Sequence, residues 1–245
     1  MSTSDAKPNA RQRQDAAWVE LTASIETAVA DDKLAGRSHA VFPIAWGWHR
    51  TVTRQGQACR VLVANDLAYE TTTIRRSMLE HTIYLLLLAA EPDATIDMLN
   101  TRHQYLTRQQ KAATAAAGWE YDTPELTAFL EAQLPNNPLN HLGQVPRAAS
   151  HVGRQGLSAA WTSDSRNSHP GVVSARMFYE DDESHIELLH EPVPVGDPGD
   201  LAICMNLMCL LDATDALNQL SATQPFTADI ARGLRVLKAT TPRSN

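Results

Sequence analysis

Between Gln57 and Ala90 the chain runs 34 residues without a proline or a glycine, and its second half, Thr71 to Ala90, reads TTTIRRSMLEHTIYLLLLAA. A stretch this long and free of breakers is read as one long helix, or as two joined near Tyr69 to Thr73, where three consecutive threonines lower helix propensity. Its apolar half is rich enough to be the centre of a core. Yet it carries two arginines, a glutamate and a histidine within seven residues. A fold that accepts this segment must bury or partner those charges.

The flanking segments carry the same period. Ala16 to Leu34 places Trp18, Leu21, Ile25, Ala28 and Val29 at spacings of three and four, an amphipathic helix. Residues 39–50, HAVFPIAWGWHR, are apolar on all sides and interrupted by Pro43 and Gly47, which predicts a buried, broken helix; Gly56 reads as a further break. Glu91-Pro92-Asp93 ends the central element and offers Asp93 as a cap. The next helix runs to Ala117, where Gly118 is a stop, and Thr123-Pro124-Glu125 opens another that ends before PNNP at 135–138. A further helix is expected from about Arg147 to Trp161.

The pattern then changes. SDSRNSHPG at 163–171 is turn chemistry, and alternation in the segments around Met177 and Ile186, divided by the acidic EDDES, predicts a β-hairpin near 172–190. PVPVGDPGD reads as a linker, Leu201 to Leu220 as an apolar helix, and Phe226, Ile230, Leu234 and Leu237 as the stripe of a last helix packed on its own core or on a second copy. The expected fold is mainly α, a helical bundle with one small antiparallel hairpin. Residues 1–14 read as a flexible arm, 15–239 as one helical domain and 240–245 as a flexible tail.

Charge and motifs narrow the function. The net charge of −7 is concentrated at the C-terminal end: residues 1–60 balance at +2, 61–176 at −2 and 177–245 at −7. That distribution disfavours nonspecific coating of nucleic acid, although a local basic cleft remains compatible. The longest apolar run, eight residues, is too short to span a membrane, and no secretory leader pattern opens the chain. The three cysteines, Cys59, Cys204 and Cys209, lack C-x-x-C spacing and sit in helical segments, which fits a reducing cytoplasm. Phosphate-binding glycine loops, H-E-x-x-H and zinc-spaced Cys/His clusters are absent, so no cofactor or metal is expected. A metal held by Glu80, His103 and His169 would need a tertiary convergence that spacing cannot show.

On a helical wheel Tyr69, Glu80, Ile83 and Leu87 all fall within about 40° of Arg76. Arg76 and Glu80, four apart, are expected to pair on an apolar stripe, either as a structural ion pair or as the lining of a pocket where Arg76 holds a small anion. His81 lies about 140° from Arg76, so a single helix does not aim both into one pocket. Ser165 and His169 form a second candidate pair, since a serine nucleophile needs an adjacent base. No G-x-S-x-G elbow accompanies them, and a solvated turn explains the same residues. Arg102, His103, Arg108 and Lys111 make a basic side on one helix, usually a solvated face and here the best candidate for contact with RNA.

Arg76-Ser-Met-Leu-Glu-His81 resembles the R-x4-H pattern of the HEPN superfamily, although Ser77 stands where that family usually has Asn, Asp or His. The resemblance implies a small all-helical protein, a homodimer in which the Arg and His of two copies meet across a groove, and metal-independent RNA cleavage in stress or defence. Arg76 would then stabilise phosphate charge and His81 act as general acid or base. A second resemblance joins R-S-x-L-E at 76–80 to Trp161-x3-Ser165-x3-His169-Pro170 and a following hairpin. It is similar to an uncharacterised bacterial helical family, and implies Arg76, Glu80, Ser165 and His169 as signature positions.

Overall fold

The computed structural model describes residues 8–119, 122–134, 137–170, 172–181, 186–193 and 196–240. Residues 1–7 of the expected arm, 241–245 of the expected tail, the first half of PNNP, Gly171, and most of the acidic loop with His185 lie outside them. The first helix, α1 (Ala10–Ala30), starts earlier than the expected arm allows. Asn9 and Gln12 form a reciprocal capping box: the Gln12 N–H donates to the Asn9 side chain and the Asn9 N–H to the Gln12 side chain, both at 2.9 Å. Such a box satisfies two of the N–H groups that every helix start leaves unpaired. Gln14 is already buried.

Neither glycine breaks α2 (Phe42–Ala64), which runs straight through Gly47 and Gly56. Pro43 sits in its first turn, where a missing N–H costs nothing. At Gly56 a Cβ would lie 3.1 Å from the Trp18 indole nitrogen, so the absent side chain makes room for the Trp18 ring. The chain turns at 65–70, with Asp66 in the left-handed region, and enters α3 (Thr71–Ala90). α4 (Pro92–Ala116) begins with Glu91 at the cap position, so Asp93 falls inside the first turn rather than capping it. Gly118 ends that helix at φ 74°, and Thr123 caps α5 (Pro124–Glu131) through the Leu126 N–H, both as expected.

After a 3-10 turn at Pro138–Gly143, the single helix expected from Arg147 to Trp161 is two: α6 (Val145–His151) and α7 (Gln155–Ser168). α7 therefore absorbs most of the segment read as a turn. A short α8 (Val172–Ala175) and a 3-10 turn replace the first half of the expected hairpin. Strand pairing is confined to β1 (Tyr179–Asp181) against β2 (Ile186–Leu188), antiparallel with Tyr179 opposite Leu188. α9 (Pro198–Leu220) and α10 (Thr227–Thr240) complete a mainly α fold with one small two-stranded sheet.

The core forms where α2, α3 and α9 pack on one another. Leu79, Ile83 and Leu87 of α3 and Leu207, Leu210 and Leu217 of α9 are completely buried. α1 and α10 cover one side, α10 burying Ile230 while Leu234 stays exposed, and α6 and α7 pack on the other side of α3. α4 and α5 form an arm with few buried residues. Among the described residues no helix is long and apolar enough to cross a membrane.

Candidate functional site

Of the two adjacent arginines, Arg75 is the buried one. Its Nε donates to Asp164 Oδ2 at 3.1 Å and its Nη2 to Asp164 Oδ1 at 2.6 Å, a bidentate pair between α3 and α7. Nη1 donates to Thr71 Oγ1 at 2.7 Å, and Nη2 also reaches Thr72 Oγ1 at 3.5 Å. Each threonine hydroxyl passes its own proton back to the preceding turn, to Ala68 O and Tyr69 O, and so offers the guanidinium lone pairs only. Arginine has five N–H donors, so after these bonds one Nη1 hydrogen has no partner among the described residues. Arg75 and Asp164 are 3% and 4% exposed, and removing one partner of such a pair strands a charge at a cost of about 3–5 kcal/mol.

Two cysteines feel this pair. Burial pushes the Cys59 thiol up to about 12, with the Arg75 charge opposing, and burial pushes Cys209 up as well. Both therefore stay protonated and act as small hydrophobes, not nucleophiles.

Arg75 forms part of the floor of a cleft of about 590 Å³, a volume typical of small-molecule sites. Tyr69 and Thr72 line it from the start of α3, and Ser163 and Asn167 from α7. Arg176, Met177, Tyr179 and Glu180 close it from the hairpin side, while Val193, Pro198 and Leu201 bring the apolar entrance of α9. Tyr69 ties these walls together: its ring meets Phe178 edge-on at 6.4 Å, and its hydroxyl donates to Asn167 O at 3.3 Å. Burial first, then the charge of Glu70, raises the Tyr69 pKa, so the hydroxyl remains a donor. A second hollow of about 380 Å³ lies against Asp15 and Arg60. There the arginine is already paired with Asp15 at 2.5 Å and stacked on Trp18, and among the described residues no buried charge lines the space.

Arg76 and Glu80 do not pair with each other. Arg76 turns to α7, giving its Nε to Ser165 Oγ at 2.9 Å and laying its guanidinium 5.2 Å over the Trp161 ring. Glu80 accepts instead from Arg102 of α4 at 3.2 Å. Arg102 also donates to the Tyr84 hydroxyl at 2.9 Å, which donates on to Gly143 O at 2.8 Å; burial holds that phenol at about 12. The aromatic face and hydroxyl on α7 draw Arg76 one way, and a cation from α4 takes the carboxylate of Glu80.

The remaining candidates disperse. His81 is half-buried and donates from Nδ1 to Ser77 O at 2.8 Å, while Ser77 Oγ accepts from Gln55 of α2 at 2.7 Å. Ser165 is engaged by Arg76, and His169 stands exposed at the end of α7, so no serine and base pair forms between them. His103 lies against Phe129 at 5.1 Å. The basic side of α4 is the seat of α5: Arg108 donates to Leu130 O at 2.6 Å, Gln104 to Phe129 O and Ala132 O at 2.8 Å, and Lys111 pairs with Asp122 at 2.9 Å. Among the described residues no group of three His, Cys, Asp or Glu could hold a metal, and Glu80, His103 and His169 do not converge.

The sequence pattern singled out α3 and its Arg76, the neighbour of the buried Arg75. A signal for Arg75 exists: Thr71, Thr72, Met78 and Leu79, its neighbours three and four residues away on either side, place it on the most buried face of α3. Nothing local points to Asp164, 89 residues further on. Comparison of the chain with protein-family models, curated proteins and solved structures gives no match.

Proposed function

We propose that this chain is a ligand-binding helical module of the cytoplasm, and that a small organic molecule occupies the cleft between α3, α7, the hairpin and the start of α9. The observation that carries the reading is a cavity of about 590 Å³ floored in part by Arg75, which Asp164 holds bidentately from behind, and walled on the hairpin side by Met177 and Tyr179. An apolar pocket with a few converging polar groups is the usual form of a small-molecule site. The pair supplies a rigid floor, because its donor and acceptor are held on two helices at once. The free, helical cysteines fit a reducing compartment.

A thermal-shift screen of small molecules, run on the natural chain and on Leu201→Trp, tests this. Leu201 lines the cleft and is half exposed, so the larger ring fills space without disturbing the core. Hits that stabilise the natural chain and fail on Leu201→Trp support the site, whereas hits indifferent to the substitution place binding elsewhere.

One observation favours a second reading, RNA cleavage by Arg76 and His81 brought together across a homodimer in a stress or defence role. With Nδ1–H held by Ser77 O, neutral His81 presents Nε2 as an acceptor, the tautomer a general base requires. Degradation of RNA without added metal, lost in His81→Ala with the melt unchanged, supports it. Undiminished cleavage by that variant removes it.

A further inference from the structure

Resting on the cleft as a ligand site, we infer that its ligand is a zwitterion, a short apolar peptide with free termini. Four charges line the cleft, and two are already answered. Arg75 is balanced by Asp164. The Asp197 carboxylate accepts the N–H groups of Gly199 and Asp200 at 2.8 and 2.9 Å, which sets it on the positive end of the 23-residue α9. Arg176 and Glu180 remain, of opposite sign and both exposed. Among the described residues neither side chain has a hydrogen-bond or ion-pair partner, and the two do not pair with each other.

A ligand with one charge meets only half of this arrangement. A monoanion finds Arg176 but also the acidic Glu180, and a monocation finds Glu180 but also Arg176. In a partly desolvated cleft an unmatched charge is costly on either side. A molecule carrying both charges, neutral overall, meets both. Its body crosses Met177, Val193 and Leu201, which are apolar. Ser163 and the Asn167 side chain also line the space without partners among the described residues, and between them provide the donors and acceptors that peptide groups need. The cavity is roomier than a single amino acid requires, which points to a peptide of a few residues.

Calorimetric titration of the whole chain with trileucine, its N-acetyl form and its C-terminal amide tests the assignment. Trileucine is expected to bind, with each blocked form weaker by about tenfold, the scale of one hydrogen bond to a charged group. Arg176→Gln should weaken trileucine by a similar factor and leave the C-terminal amide unchanged, and Glu180→Gln should do the same for trileucine and spare the N-acetyl form. Equal binding of all three forms, or variants that weaken all three alike, overturns the zwitterion and leaves the cleft. If no form binds while Leu201→Trp still abolishes thermal shifts from other small molecules, the peptide falls and the site stands. If those shifts are missing too, the site falls with it.

Discussion

The floor of the cleft and the α4–α5 arm both join helices through arginine, in opposite surroundings. Arg75 and Asp164 are both buried, and both oxygens of the carboxylate are used by the guanidinium fork. Arg108 caps the end of α5 from an exposed position, and Lys111 meets Asp122 in the open. Exposed contacts of this kind contribute little because solvent competes and long side chains lose freedom, while a buried pair is a commitment that cannot be half withdrawn. The same chemistry thus fixes the geometry of the cleft in one region and merely seats a helix in the other.

The sharpest way to break this contrast is Asp164→Ala. It should lower stability by about 3–5 kcal/mol in urea unfolding, since it leaves the Arg75 charge buried without a partner. The double variant Arg75→Met with Asp164→Leu should recover most of that loss, because it removes the charge with its partner. Equal losses in the single and double variants would mean that packing, not the stranded charge, sets the cost.

A buried titratable group on α2 extends the contrast to pH. The Thr214 hydroxyl donates to Leu210 O at 2.6 Å, so it accepts from His49 Nε2–H at 3.1 Å and leaves Nδ1 buried with no partner among the described residues. Burial, aided by the Arg50 charge, lowers the His49 pKa to about 3. The unfolded chain takes up a proton near pH 6.5 and the folded chain does not. The contribution is therefore intact above pH 6.5 and lost as pH falls toward 3, by about 1.4 kcal/mol per unit. Unfolding free energies at pH 7 and 5 should differ by about 2 kcal/mol more in the natural chain than in His49→Gln. Parallel pH profiles would contradict a neutral, buried His49.

The smallest effect belongs to the arm. Arg108→Ala should change global stability by less than about 1 kcal/mol. Amide exchange in α5 should nevertheless quicken, since the carbonyl of Leu130 loses its cap. A large global loss would erase the distinction between the two regions.

How much of this was legible follows the same divide. Local chemistry was readable: Thr123-Pro124 and Gly118 act as start and stop, and the period of α1 and α3 gives the helical fold. The Asn9/Gln12 box was equally local and marks a helix start that the polar composition of the first residues concealed. Tertiary contacts were not readable. SDSRNS carries turn propensity, yet Asp164 and Ser165 are held in α7 by Arg75 and Arg76. Such partners, far apart in sequence, override local preference. Gly56 reads as a breaker until Trp18 is found against it. Spacing alone favoured Arg76 with Glu80, because a four-residue step is visible in a sequence and an 89-residue one is not.

Methyl NMR of Met177 and Leu201, followed while small apolar molecules with one polar head are added, tests the central claim most directly. Both methyl groups lie in walls of the cleft above Arg75. Binding there should shift both while leaving the buried methyls of Leu210 and Leu217 in place. Shifts confined to other surfaces, with Met177 and Leu201 unmoved, would contradict a ligand site in the cleft.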